Sequence, residues 1–455
     1  MFFKNQKQRN LFLGGLAILV VVAFAVGGNL VNLKGAAVVT TVNENGEAEG
    51  SSDGGGGGGG GSSGGGTTTP TTPTVTAGTL QFSASSTPVG DDIVAGGATG
   101  VLVARYQAKG TGEAFTVTKL SVRNDSAEDN TMETNKAAKT LTLKYPTSVS
   151  APTTLNGIAT ASLKDGKATF ENLTMMVPNG GTAQMELYVD LFNISQGTSS
   201  ANANTRQLPE EVVAGNSIEI IGGKQIELDF DYDSTFEAVG QTSKTVISQT
   251  KQSTGDIDAN EIAIYKSIPG FAKDTAGTSP CASGKLVASG EAAVYCLAIT
   301  ASGNGDVGLY KLSFEIAAIG LDEAALSAAN AVKVYRYESN GTVGTTALAT
   351  GTWASKVANV IFTAEEVVAK GSTQYYVVKV PVTLKGGEKQ KNGSVTTRLG
   401  AESVTVHSAS TNAFGVVGRN VWSDRSAKSH STSTSDWTNG YKVKGLPTEA
   451  TSMKL

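Results

Sequence analysis

Cysteine, histidine and tryptophan are scarce in this chain. Its 455 residues include two cysteines, two histidines and three tryptophans, and charged residues make up only 17%. So few Cys and His side chains leave little material for a zinc site or a Cys–His nucleophile. Cations and anions are nearly balanced, with 36 Lys and Arg against 40 Asp and Glu, so no positive field exists to gather phosphates. We therefore expect neither nucleic acid as a partner nor a catalytic site, and classify the protein as a non-enzyme.

Glycine, by contrast, is abundant, and the chain from Thr79 onward alternates apolar with polar residues. It has 55 glycines, and alternation is clear in Leu141–Tyr145 and Met185–Leu191. Runs of about five to seven residues bounded by Gly, Asn, Asp and Pro clusters are typical of strands in a sandwich or barrel. The sequence therefore predicts an all-β fold.

The N-terminus has the composition of a targeting segment. Lys4, Lys7 and Arg9 precede an uncharged apolar run from Leu11 to Gly28. As a helix this run would be about 27 Å long, close to the thickness of a bilayer core. We predict a cytoplasmic basic segment at 1–10 and a transmembrane helix or signal segment at 11–31, with the rest of the chain on the extracytoplasmic face.

Two fates of this segment are open. Ala23–Ala25 has the small-x-small pattern of a signal-peptidase site, which would release the protein as a secreted chain. The glycine run Gly54–Gly61 and the Thr/Pro stretch after it favour retention, because a flexible linker at 32–78 suits a tether between membrane and domain. A single-pass anchor is the preferred interpretation.

Beyond the linker the chain repeats itself. Lys119-Leu120-Ser121 returns as Lys311-Leu312-Ser313, at a separation of 311 − 119 = 192. Three further matches follow in the same order: Ala168–Phe170 with Val360–Phe362, Val177–Thr182 with Val368–Thr373, and Asn216–Ile220 with Glu402–Val406. Four ordered matches indicate two copies of one unit. We predict a first β-sandwich domain at 79–245, a connection at 246–260, a second β-sandwich domain with an aromatic tail at 261–444, and a C-terminal end at 445–455.

The Lys-Leu-Ser strand, the Val177–Thr182 turn and the tail segments Trp422–Ser426 and Asp436–Tyr441 carry a family resemblance. They resemble uncharacterised envelope-anchored tandem immunoglobulin-like proteins of candidate-phylum (Patescibacteria-type) bacteria. The resemblance covers roughly Thr79 to Pro447 and its motifs are structural. It implies two tandem immunoglobulin-like sandwiches at the cell surface and transfers no activity.

Cys281 and Cys296 are candidates for a disulfide. An oxidising compartment outside the cytoplasm permits the bond, and Cys281 lies in a Ser/Pro/Gly loop that would otherwise expose a free thiol. The alternative is a pair of buried thiols.

Asp229, Asp231 and Asp233 form the most concentrated group of carboxylates. In an extended strand all three would share one face, where a Ca²⁺ ion could relieve their repulsion. The spacing does not fit an EF-hand. A solvated strand face is the alternative, so Ca²⁺ is a possible cofactor only.

The tail contains Trp422, Trp437 and Tyr441, which are candidate binding residues. Exposed aromatics stack on sugars or dock on proteins; the alternative is that they close the last strands onto the sandwich. His407 and His430 are expected to be surface or turn residues.

These observations predict a membrane-tethered structural, assembly or adhesive protein of the cell envelope. Its expected partners are the membrane, envelope proteins, copies of itself or glycans. A carbohydrate-binding surface module is the first alternative and a secreted hydrolase the second.

Overall fold

A computed structural model describes residues 76–124, 137–164, 166–194, 217–218, 222–230, 235–249, 257, 259–386, 392–408 and 410–455. The predicted N-terminal segment and most of the linker lie outside this range. Within it, no helix is long and apolar enough to cross a membrane. Strands account for nearly all of the regular secondary structure of the described chain, as the sequence predicts.

The first unit consists of two facing sheets. The first sheet contains β1 (Thr79–Ala84), β3 (Val101–Thr111), β5 (Ala138–Tyr145), β6 (Gly157–Ala161) and β9 (Thr182–Leu191). The second contains β4 (Phe115–Asn124), β7 (Lys167–Phe170), β8 (Met175–Val177), β13 (Leu228–Asp229), β14 (Phe236–Gly240) and β15 (Val246–Gln249). β10 (Asn193–Ile194) and β11 (Ser217–Ile218) form a short parallel pair.

Strand β9 explains why this sequence forms a sandwich. Its ten residues alternate without exception between half-buried and buried, and Met185, Leu187 and Val189 all point into the core. Because side chains of a strand alternate between faces, this pattern gives one apolar face to cover. Burying each such side chain stabilises the fold by about 1.5–3 kcal/mol.

The second unit is one continuous sheet of eleven strands folded over its own core. Its strands are β17 (Ser267–Lys273), β18 (Gly290–Gly303), β19 (Val307–Ile319), β20 (Val332–Tyr337), β21 (Ala349–Ala354), β22 (Val357–Val368), β23 (Thr373–Val382), β24 (Ser394–Leu399), β25 (Val421–Ser423), β26 (Trp437–Asn439) and β27 (Thr451–Lys454). A short helix, α1 (Glu323–Leu326), and a 3₁₀ turn at Ala413–Gly415 interrupt them.

The two units share a strand order, which confirms the tandem architecture. The first sheet runs β1-β3-β9-β5-β6, and the second unit runs β17-β18-β23-β20-β21 with the same succession along the chain. Phe115 faces Val177 in the first unit, and Val307 faces Val368 in the second. Phe115 and Val307 are 192 positions apart, and Val177 and Val368 are 191 positions apart, as the sequence repeat predicts.

Two of the four sequence matches do not hold in detail. Leu120 faces Phe170, whereas Leu312 faces Val360, so Phe170 corresponds to Val360 and the predicted match is two residues out of register. A bulge between Leu309 and Lys311 changes the pairing there.

The other mismatch concerns the last pair of segments. Ser217–Ile218 pairs with β10, but Ser403–Val404 lies in no strand. Both segments alternate in the same way, but among the described residues only Ser217–Ile218 has a neighbouring strand to complete its backbone hydrogen bonds.

The strands also extend past the predicted ends of both units. Val246–Gln249, assigned above to the connection, forms β15 and pairs with β14. Thr451–Lys454, assigned to a C-terminal end, forms β27 and pairs with β24. Both segments gain backbone hydrogen bonds from an edge strand that the sequence alone does not reveal.

Candidate functional site

The junction between the units is the candidate site, because polar and aromatic groups of both units contact one another there. It is built on a three-stranded sheet of β2 (Asp92–Ala95), β12 (Lys224–Ile226) and β16 (Ile262–Tyr265). β16 runs parallel to β2 and antiparallel to β12, and after Lys266 the chain enters β17 directly.

Strand β16 contributes to both hydrophobic cores. Ile262 and Ile264 belong to the core of the first unit. Ala263 and Tyr265 belong to the core of the second. Because a strand presents alternate residues to opposite faces, one extended segment fills both cores. The two units are therefore joined by a structured strand at this point.

Asp424 is the central polar group of the junction. Its side chain is fully buried and accepts hydrogen bonds from the Lys266 backbone N–H at 2.7 Å and the Ser426 hydroxyl at 2.6 Å. Burial raises the pKa of this carboxyl to about 6, although the donors of Ser426 and Lys266 oppose the rise. The carboxyl thus fixes the point where β16 passes into β17.

Gly222 brings the first unit against this carboxyl. Its N–H donates to the Ser426 hydroxyl at 2.8 Å. A Cβ on residue 222 would lie 1.9 Å from Asp424 Oδ2, so only glycine allows this approach.

An aromatic cluster fills the adjacent space. Tyr265 and Trp422 have ring centroids 4.9 Å apart, and both are buried. Tyr265 donates its hydroxyl to Thr438 Oγ1 at 3.3 Å, and burial raises its pKa above the usual range. Tyr441 extends the contact to the first unit, with its hydroxyl 3.4 Å from Asp91 Oδ2.

Both histidines lie outside the strands, as expected of turn residues, but both are half-buried and contact other side chains. His430 has Nδ1 2.8 Å from Asp436 Oδ2 and Nε2 2.8 Å from Glu365 Oε1, with 6% of its side chain exposed. Burial would lower its pKa, but the hydrogen bonds and charges of Asp436 and Glu365 outweigh burial and raise the pKa to about 9. Among the described residues no anion makes a hydrogen bond to His407, and burial lowers its pKa to about 4.

The bulge in β22 positions this histidine site. Ile361 and Glu366 of β22 both pair with β19, and the residues between them do not. Glu365 lies in this unpaired segment. It accepts from both His430 and Arg425. Bulges redirect side chains in this way, and the resulting ion pairs attach the tail to β22. A rare histidine is a reason to look for a site. The partners of His430 are 65 and 6 positions away in the chain, however, so the spacing of the sequence does not reveal them.

The two tail tryptophans pack against the second unit, in agreement with the alternative that the tail aromatics close the last strands onto the sandwich. Trp422 and Trp437 are each 1% exposed, and their indole N–H groups donate to the carbonyls of Asn439 and Ser431. The prediction that these two tryptophans form an exposed binding surface is wrong, because β25 and β26 bury them against the second unit. Tyr441 is half-buried and contacts His407 and Lys442.

Asp229 does not lie on a solvated strand face. It is 2% exposed, and its carboxylate accepts the Ala259 N–H at 2.6 Å. Asp231 and Asp233 lie outside the described residues, so the calcium site stays a prediction. No group of three or more His, Cys, Asp or Glu side chains within the described part of the chain is placed to hold a metal ion.

Cys281 and Cys296 form a disulfide in the structure, with Cα atoms 5.8 Å apart. The bond ties the loop before β18 to that strand. Leu286, within this loop, donates its N–H to the Lys454 carbonyl at 2.8 Å, so the loop also supports β27.

Comparison with known proteins assigns neither a family nor a function to the chain. No protein-family model matches the chain, and no curated protein matches it. Similar solved structures include BspA_C_WT (11% identity, 68% of this chain and 91% of that one, TM-score 0.16). Others are the collagen adhesin CNA of S. aureus (10%, 71% and 85%, TM-score 0.13) and BcpA, the major pilin subunit of Bacillus cereus (8%, 67% and 66%, TM-score 0.18). At these scores the likeness assigns no function, and none of these comparisons supports the resemblance to candidate-phylum proteins.

Proposed function

We propose that the protein is a non-enzymatic structural, assembly or adhesive component of the cell surface, tethered to the membrane by its N-terminal segment. The junction carries this proposal. Strand β16 fills both cores and Asp424 binds the segment that leaves it. A joined pair of sandwiches on a long linker presents its edges and loops as one unit at a distance from the membrane.

The placement of the scarce chemical groups supports the same proposal. Both cysteines, both histidines and the two tail tryptophans are engaged in packing, bonding or ion pairs within the second unit and its junction with the first. The carbohydrate-binding alternative depended on exposure of Trp422 and Trp437, and their burial removes that support.

Location is tested first. The full-length chain, expressed with its N-terminus intact, should fractionate with membranes, and protease added to intact cells should cleave it within the linker. A matched chain lacking residues 11–31 should stay in the cytosol and resist the protease. Recovery from the medium of a mature chain that begins near Val26 would instead establish secretion.

Adhesion or assembly is tested separately. The full-length chain should bind isolated cell envelopes or copies of itself and should turn over no glycosidic or peptide substrate. Binding to a defined free glycan, without binding to envelopes or to itself, would favour a carbohydrate-binding module.

A further inference from the structure

Among the described residues, strand β6 at one edge of the first unit has no partner strand on its outer side, whereas its second-unit equivalent has one. In the second unit, β21 pairs with β20 on one side and with β22 on the other, over six residue pairs from Ala349 to Ala354. In the first unit the equivalent strand β6 pairs with β5, and no described strand pairs with its outer side. The first-unit counterpart of β22, the short strand β7, pairs with β4 instead.

The residues of β6 do nothing to prevent pairing. Natural edge strands are protected by charged residues, proline or bulges. Of the other edge strands, β17 contains Pro269 and Lys273 and β27 contains Lys454, whereas β1 and β15 are uncharged and lack proline. β6 has the sequence Gly-Ile-Ala-Thr-Ala, with neither charge nor proline, and Ile158 is 64% exposed.

The pattern of β6 is symmetric about its central residue. Gly157, Ala159 and Ala161 are small and face inward, where a Cβ on residue 157 would meet the ring of Tyr145 at 2.3 Å. The two β-branched residues, Ile158 and Thr160, face outward, beside Lys144 and Thr142 of β5. An antiparallel copy of this strand with Ala159 on a two-fold axis would place each Ile158 opposite Thr160 of the other strand.

We propose that the outer edge of β6 is a self-association site, at which a second copy of this chain pairs antiparallel through its own β6. This proposal rests on the proposed assembly function and names the partner as the chain itself. The unpaired N–H and C=O groups of each edge satisfy one another. Ile158 packs against Thr160 of the copy, a favourable pairing of β-branched residues. Because both strands are uncharged, the two-fold contact brings no like charges together.

The expected strength fits a tethered protein. Two five-residue strands bury far less than the roughly 1,200–2,000 Å² of a stable complex in solution, so the contact is weak between free molecules. Copies held on one membrane by flexible linkers meet at a high effective concentration, which favours the same contact. Association should therefore be tested on full-length protein at the membrane as well as in solution.

Disulfide trapping tests the register. The two native cysteines are bonded to each other, so an introduced cysteine provides the free thiol. Full-length chains carrying Ile158→Cys and chains carrying Thr160→Cys, co-expressed and mildly oxidised on the cell, should form mixed covalent dimers. Each variant alone should form far fewer. Thr352→Cys, at an exposed position of the doubly paired strand β21, is the matched control and should form none.

A charge variant tests the edge itself. Ile158→Lys would bring unpaired cations into the contact and should weaken self-association of the full-length chain in sedimentation about tenfold. Val246→Lys is the matched control, since Val246 is 58% exposed on β15, an uncharged edge strand of the other sheet. Both variants should keep the wild-type melting temperature because both side chains are exposed.

The outcomes separate this proposal from the proposed function. Absence of mixed dimers, or unchanged association of Ile158→Lys, would overturn the β6 contact. If that variant still reached the surface and bound envelopes, the surface role would stand without it. If the chain were cytosolic or catalytic but still formed mixed disulfide dimers through residues 158 and 160, the surface role would be rejected and the β6 contact would stand.

Discussion

His430 lies between two carboxylates, and its ionisation is coupled to the attachment of the tail. Its folded-state pKa of about 9 is higher than the ordinary value of 6.5, because Asp436 and Glu365 favour the imidazolium more than burial disfavours it. A raised pKa stabilises the fold fully below pH 6.5, and this contribution is lost as the pH rises through about 9. The site therefore predicts an alkaline-sensitive second unit.

His430→Gln tests this coupling. The free energy of unfolding of the wild type should fall by on the order of 3 kcal/mol between pH 6.5 and 9.5, measured by denaturant titration at several pH values. The variant should be less stable at pH 7 and nearly independent of pH over this window. His407→Gln is the control: His407 has a lowered pKa and is already neutral there, so it should keep the wild-type slope. Equal slopes for wild type and His430→Gln would contradict the ion-pair account.

Gly222 tests the contact between the units at the same scale. Gly222→Ala would force its Cβ into the buried Asp424 carboxyl, and overpacking of this kind costs about 1–3 kcal/mol. The melting temperature should fall accordingly. Gly90→Ala, where a Cβ would meet nothing within 4 Å, should leave it unchanged. If the Gly222→Ala protein had the same melting temperature as the Gly90→Ala protein, the junction would accommodate the added methyl group without loss of stability.

At the scale of elements, the loop that ends at Cys296 is fixed by a bond as well as by packing. The disulfide closes a loop over a sequence separation of 15. In the chain-entropy account, a disulfide that closes a loop of this size stabilises the folded state by about 3 kcal/mol.

Replacing Cys281 and Cys296 together by Ser should lower the melting temperature of the second unit. Because Leu286 and Lys454 share a hydrogen bond, protection from hydrogen exchange should fall at β27 as well. Quantitative alkylation of both thiols in the exported native protein would contradict the bond.

The bulge in β22 is the element that sequence patterns describe least well. The predicted match of Phe170 with Phe362 preserved an aromatic residue, but the structure pairs Leu312 with Val360. A bulge leaves the sequence alternation almost intact while it moves the partner strand by two residues. The same bulge carries Glu365 to His430, so the histidine site was missed for the same reason.

For the whole molecule, the junction predicts that the two sandwiches unfold together. Strand β16 cannot leave one core without disturbing the other, since Ile264 and Tyr265 are adjacent in the chain and lie in different cores. Calorimetry of the full-length chain should therefore show one cooperative transition in which both sandwiches unfold.

Asp424→Ala tests this linkage. It would leave the buried Lys266 N–H and Ser426 groups without their acceptor, at a cost of about 1–3 kcal/mol for each unsatisfied group. We expect the transition to broaden or split into two. Asp190→Ala removes an exposed acceptor of the Gly100 N–H and should leave a single transition. Two well-separated transitions in the wild type would show that the units unfold independently.

The sequence by itself determined the all-β class, the inward faces of strands such as β9 and the repeat of about 192 residues. Each follows from local period or from similarity between segments of one chain. Only the tertiary structure decided that Trp422 and Trp437 are buried, that Asp229 is enclosed and that no described strand pairs with the outer side of β6 while β21 is paired on both sides. A strand's period tells which residues share a face. What covers that face, or pairs with that edge, depends on segments a hundred or more positions away that folding brings beside it.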